Sequence, residues 1–170
     1  VGSLLIAYSE SLGVLLVGAC SPPAPAARAF RIESINQAIG GPVATGKPGD
    51  FLLENGLIRA VVEQGGPSRL PPDIGGSLVD LDVVRPEAQF RGGHGLDLLG
   101  QLSPVVNLAQ ARALGPKSVR ITSSNGVAEV TTSGEAVAIQ RILDALNLLI
   151  RRDFAGDVDH AKFRLYTEYR

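Results

Sequence analysis

From Arg31 onward the chain is cut into short apolar segments by glycine and proline, of which its 170 residues hold 20 and 11. Segments that short suit strands of about four to eight residues better than helices, which need roughly ten or more. The pattern predicts a mainly β domain of antiparallel strands joined by tight turns. "FLLENGLIRAVVEQGG" carries the signal most clearly. Asn55-Gly56 reads as a type I′ hairpin turn, in which both central residues take positive φ. Phe51 to Leu53 leads in, and Leu57 to Val62 leads out. Alternation along the second run puts Ile58 and Val62 on an apolar face and Arg59 toward solvent.

The rest of the chain is punctuated in the same way. "PSRLPPDIGG", with three prolines and two glycines, is a loop. "SLVDLDVVRP" follows as a strand, with Leu78, Asp80 and Asp82 on one face and Val79, Leu81 and Val83 on the other. "QFRGGHGLDLLGQLSP" is a second glycine-rich loop, and "VVNLAQARAL" suits a strand or a short helix. "KSVRITSS" and "VAEVTTSG" flank Asn125-Gly126, a second predicted hairpin. In "EAVAIQRILDALNLLIRR", Val137 and Ile139 alternate like a strand, while Ile142, Leu143, Leu146, Leu149 and Ile150 recur at helical spacing. That predicts a strand passing into one short helix near 142–152. "AKFRLYTEYR" alternates as a strand up to Arg170. A natural domain rarely stops in mid-strand, because the ladder is left incomplete. The expected architecture is an antiparallel β-sandwich, supersandwich-like and truncated at its C-terminus.

The N-terminal region is different in kind. "LGVLLVGA", Leu12 to Ala19, is too short to span a bilayer, which takes about 20 apolar residues. It fits the apolar core of a secretory signal ending in small residues. No Lys or Arg precedes it. Val17-Gly18-Ala19-Cys20 resembles the bacterial lipobox, and that resemblance implies cleavage before Cys20 and lipidation of its thiol. "SPPAPAARA" then reads as an extended linker, since a proline cluster cannot continue a helix. The domains expected are a signal peptide at 1–19, a lipidated cysteine and Pro/Ala linker at 20–30, and a β-sandwich at 31–170. The location expected is the cell envelope, facing the periplasm or outer surface. Cys20 is the one cysteine, so neither an intramolecular disulfide nor a thiolate metal site can be built. A net charge of −1 gives no electrostatic reason to expect nucleic acid as a partner.

Two resemblances arise at these residues. "LLENGLIRAVVEQGG" followed by "GGSLVDLD" is similar to the opening of galactose-mutarotase-like supersandwich domains. "GPVATGKPGDFLLENGLIRAVVEQ", "GGSLVDLDVVRP", "GLDLLGQLSPVVNLAQ" and "LYTEYR" resemble a group of large secreted proteins of δ-proteobacterial type. In that group such a β-region can precede a metal-dependent hydrolase of the polymerase-and-histidinol-phosphatase type. The second resemblance implies a scaffold for a downstream domain, and the first implies work on glycans. Neither family's catalytic residues map onto this sequence.

Candidate chemistry is sparse. His94 and Asp97 in "GGHGLD" offer two ligands to zinc or manganese, with Asp80 or Asp82 as a third. The plainer reading has Asp97 accepting local backbone amides and His94 in solvent. Asp80 and Asp82 are two apart and suit a paired-carboxylate site, or simply a solvent-facing strand edge. "DFAGDVDH", Asp153 to His160, is rich in oxygen ligands but lacks the spacing of a calcium loop. The paired glycines Gly40-Gly41, Gly65-Gly66 and Gly75-Gly76 lack the phosphate-loop pattern. Ser77 and Ser103 lack a nucleophile-elbow setting. Phe163, Tyr166 and Tyr169 suit a sugar-stacking platform or ordinary strand packing. The sequence therefore predicts a lipid-anchored, non-catalytic module without a cofactor. Its expected partners are the membrane, a downstream domain of the same protein and, in the alternative reading, a glycan.

Overall fold

The computed structural model describes residues 26–68, 75–104, 109–112, 118–138, 148–149 and 164–170. The expected signal peptide, Cys20 and Asp153 to His160 lie outside them, as does Phe163. Of the helix expected near 142–152, only Leu148 and Leu149 are described, both in helical backbone. No helix among the described residues is long and apolar enough to cross a membrane.

The described residues form two antiparallel four-stranded sheets. The first contains β1 (Arg28–Arg31), β2 (Phe51–Glu54), β3 (Ile58–Val62) and β4 (Leu78–Val83) in sequence order. β1 takes Arg28 to Phe30 from the stretch expected to be linker. The second contains β5 (Ala109–Arg112), β6 (Val119–Ser124), β7 (Val127–Ala138) and β8 (Arg164–Tyr169). β7 is its spine. Because β6 and β8 both pair with Val130 to Thr132, they flank opposite edges of β7, while β5 pairs further along at Ala138 to Glu135. "VVNLAQARAL" thus contains a strand. The mainly β, antiparallel sandwich expected from the sequence is the fold observed.

The two asparagine–glycine turns differ. Asn125 and Gly126 have φ of 51° and 77°, as a type I′ turn requires, and they join the pair Ser124–Val127. Asn55 and Gly56 have no positive φ. There the Asn55 carboxamide oxygen accepts the amides of Leu57 and Ile58 at 2.8 and 2.9 Å, and the Asn55 amide donates to the Ile58 carbonyl at 3.0 Å. An asparagine side chain folding onto its own downstream backbone closes this loop, one position later than the predicted turn.

Along Ala60 to Val62 the first sheet is buried on both faces, which corrects the expectation of a half-buried β3 there, while Ile58 at the start of the strand is exposed. One face packs on the second sheet through Ala60, Val62 and Leu78 against Val119 and Val130. The other carries Leu52, Val61 and Val79, covered by Ile32, Ala38 and Ile39 from the β1–β2 connection. That connection begins with a 3-10 turn at Ile35–Gln37, where the Gln37 carboxamide accepts the amides of Glu33 and Ser34. A coat of loop therefore forms a third layer. Its fit depends on Gly40 (φ 77°) and Gly41 (φ 143°), because a Cβ would lie 1.7 Å from the Gly93 carbonyl oxygen at the first and 2.2 Å from the Asp97 nitrogen at the second.

β4 contains the main departure from simple alternation. Val61 pairs with Asp80 and Val62 with Leu78, which leaves Val79 as an extra residue in a bulge. Leu78 consequently faces the second sheet, while Asp80 and Asp82 face the loop coat with Val61 and Arg59. The prediction that Leu78, Asp80 and Asp82 share one face fails for this reason.

Candidate functional site

The loop coat is held down by carboxylates. Asp80 is fully buried; its oxygens accept the Thr45 amide at 2.8 Å and the Gly46 amide at 2.9 and 3.2 Å. Asp50, also fully buried, accepts the amides of Lys47 and Gln64 at 2.9 and 3.1 Å. Asp97 Oδ1 accepts the amides of Leu81 and Leu99 at 2.7 and 3.1 Å. Since β4 lies at the margin of its sheet, Asp97 caps an edge that is otherwise open to pairing. Leu102 caps the same edge through reciprocal backbone bonds with Leu78 of 3.0 and 2.8 Å. Backbone amides thus meet these buried acceptors, apart from Asp97 Oδ2, which has no hydrogen-bond partner among the described residues.

Asp82 has a different environment. Its carboxylate pairs with the Arg85 guanidinium and accepts the amides of Leu96 and Val83, each at 2.8 Å. Burial pushes its pKa up, but the Arg85 contact and the two amides outweigh that and hold it below the ordinary value of 3.8. The reading of Asp80 and Asp82 as a solvent-facing pair is therefore corrected: Asp80 is bonded to the loop coat, and Asp82 to Arg85 and Leu96 in the segment after β4. His94 is exposed and Asp97 is buried at the edge of β4. Among the described residues no group of three or more His, Cys, Asp or Glu is gathered to hold a metal ion.

Above this coat lies a cleft of about 740 Å³, between the β2–β3 loop, the end of β4 and a 3-10 turn at Ala88–Phe90. Among the described residues four arginines line it, Arg28, Arg59, Arg85 and Arg91, against two carboxylates, Glu54 and Asp82. Glu54 is taken by Arg28 and Arg59, with Nε–O distances of 2.7 and 3.0 Å. Arg59 also donates to the Gln37 carbonyl at 2.7 Å. Arg85 lies over the Phe90 ring, 5.2 Å from its centroid. Asn36 and Asn55 complete the polar lining. Sequence reasoning misses this cleft, because its arginines lie in separate segments and form no charge run.

Other candidates resolve into packing. Ser77 Oγ and Ser103 Oγ lie 2.6 Å apart, and Gln101 donates to Ser103 at 3.0 Å, so the pair forms a hydrogen-bonded link beneath β4. Tyr169 packs against the inter-sheet core, whereas Tyr166 is 64% exposed; being three apart on one strand, they face opposite ways and do not build a shared platform. A smaller, apolar cavity of about 350 Å³ lies at the margin between the sheets, lined by Leu53, Ile58, Ala60, Leu78, Leu81 and Tyr169 among others. Compared with protein-family models, curated proteins and solved structures, the chain matches none.

Proposed function

We propose that this chain is a lipid-anchored, extracytoplasmic β-sandwich module that binds a ligand without transforming it and serves a larger envelope protein. One observation supports the non-catalytic part. Both carboxylates of the arginine-lined cleft are engaged by guanidinium groups, so neither is free to reach a substrate proton as a general base must. Asp50 and Asp80 accept backbone amides through both oxygens, and Asp97 through Oδ1. The anchor rests on Val17-Gly18-Ala19-Cys20 and the proline-rich segment after it.

The test is metabolic labelling of the full chain in a bacterial host. Wild-type protein should incorporate labelled fatty acid and partition into detergent, and Cys20→Ala should do neither. Equal labelling of the two proteins would refute the anchor. Turnover of any ligand that binds the cleft would refute the non-catalytic assignment.

A further inference from the structure

We infer that the arginine-lined cleft is a recognition site for an anionic saccharide, a ring-sized ligand carrying a carboxylate or phosphate. This deepens the reading of the chain as a binding module and rests on it. Glu54 and Asp82, the two carboxylates in the cleft, are both paired internally. The donors are not used up. Arg59 bonds through Nε and Nη2, and Arg85 through Nη1, so Arg59 Nη1 and Arg85 Nη2 have no partner among the described residues. The Asn55 oxygen is occupied by the Leu57 and Ile58 amides, which leaves its Nδ2 as a spare donor. Asn36 lines the same space and is exposed.

A concave site with surplus donors and a net positive lining selects an acceptor-rich, negatively charged ligand. Guanidinium groups match the planar or tetrahedral oxygens of carboxylate and phosphate. The wall beside the donors is apolar, formed by Ile39, Pro86 and the Arg85–Phe90 stack. A sugar acid presents both faces that such a site needs: C–H surface for the wall, and hydroxyl and oxyanion groups for the donors. The volume, about 740 Å³, falls within the roughly 300–1,000 Å³ typical of small-molecule sites. Arg59 and Glu54 are fixed on paired strands, so much of the site is formed before ligand arrives.

Titration calorimetry on the full chain in detergent, with defined probes, tests this. Trigalacturonate and glucose 6-phosphate represent the carboxylate and phosphate forms; a neutral trisaccharide and benzoate are the controls. Binding of either anionic sugar, weakened by added salt, is expected, and the stronger of the two identifies the oxyanion. Asn36→Asp should weaken that binding by about tenfold or more, since it places a like charge in the cleft. Arg85→Gln should act in the same direction, and His94→Ala, outside the cleft, should not. Should Arg85→Gln fold poorly, Asn36→Asp still decides the matter, because Asn36 is exposed and contributes little to the fold. Absence of binding, equal binding of the neutral sugar, preference for benzoate, or an unaffected Asn36→Asp would each overturn the inference. Release of new reducing ends from trigalacturonate would instead overturn the non-catalytic reading while leaving the recognition site intact.

Discussion

The Tyr169 hydroxyl donates to the Gly76 carbonyl at 3.0 Å and so ties the last strand of one sheet to the residues that lead into β4 of the other. The ring is packed against the inter-sheet core. Burial pushes its phenol up to about 12, against a smaller opposing effect of the Leu78 backbone.

Alkali should therefore loosen the seam between the sheets. Because the folded pKa is raised, the stability this group provides is complete below pH 10 and is lost as pH climbs from 10 through about 12. Absorbance titration should show a tyrosine ionising late, near pH 12, and Tyr169→Phe should abolish that step. The same variant should cost about 1 kcal/mol at neutral pH, the worth of a typical hydrogen bond, in urea melts.

Asp97 and His94 lie three residues apart in one loop, yet their substitution should have opposite results. Asp97→Ala removes the acceptor of two amides, Leu81 and Leu99, at a buried edge. A loss of about 2–4 kcal/mol is expected from unsatisfied buried donors. His94→Ala alters an exposed side chain and should stay within about 0.5 kcal/mol. Denaturant midpoints measured with and without zinc would check both. A midpoint raised by zinc in the wild type and not in His94→Ala would restore the metal reading.

Gly40 and Gly126 share a φ of 77° but not their surroundings. A Cβ at Gly126 meets nothing within 4 Å, so Gly126→Ala should cost only the left-handed backbone penalty, about 1–2 kcal/mol. At Gly40 the same atom would overlap the Gly93 carbonyl. Gly40→Ala should therefore cost more than Gly126→Ala and lift the loop coat from β3 and β4. Hydrogen exchange at the Thr45 and Gly46 amides would report that lift directly.

Acid should weaken the fold partly through Asp82. Its pKa is depressed, so its contribution is complete above the ordinary value of 3.8 and is lost as pH falls below it. Asp82→Asn should flatten the acid limb of a stability–pH profile and lower stability at neutral pH, since the Arg85 guanidinium loses its counter-charge. An acid limb unchanged in the variant would assign the pH dependence to other carboxylates.

How much of this was legible in the sequence depends on how local each signal is. The hairpin at Asn125-Gly126 was legible because a type I′ turn is decided by its own two residues. The same dipeptide at Asn55-Gly56 misled by one position, because the Asn55 side chain competes for the Leu57 and Ile58 amides. β4 misled further. Alternation holds only while every residue is paired, and the bulge at Val79 interrupts it. Asp97 as an acceptor of a local amide, that of Leu99, and His94 as an exposed neighbour were legible, since a short acidic side chain in a glycine-rich loop readily finds backbone donors, but the bond to Leu81, 16 residues away, was not. The aspartates of β4 were not. Asp80 finds its partners, Thr45 and Gly46, 35 and 34 residues away, and no local pattern marks them. The arginine-lined cleft was hidden for the same reason, being assembled from segments that only the folded chain brings together.

The extra residue at Val79 gives β4 two halves of opposite parity, and this makes the strand's length as constrained as its composition. Ahead of the bulge an apolar residue, Leu78, meets the second sheet; beyond it, on the other face, Asp80 meets the loop coat and Asp82 the segment after β4. Removing one residue between them would restore strict alternation and rotate one half of the strand by a half-turn. Either the aspartates would enter the apolar seam between the sheets, or Leu78 would leave it. Substitutions in β4 can be judged position by position, but an insertion or deletion there exchanges the two layers at once, so among homologous chains this short span should drift in residue type long before it drifts in length.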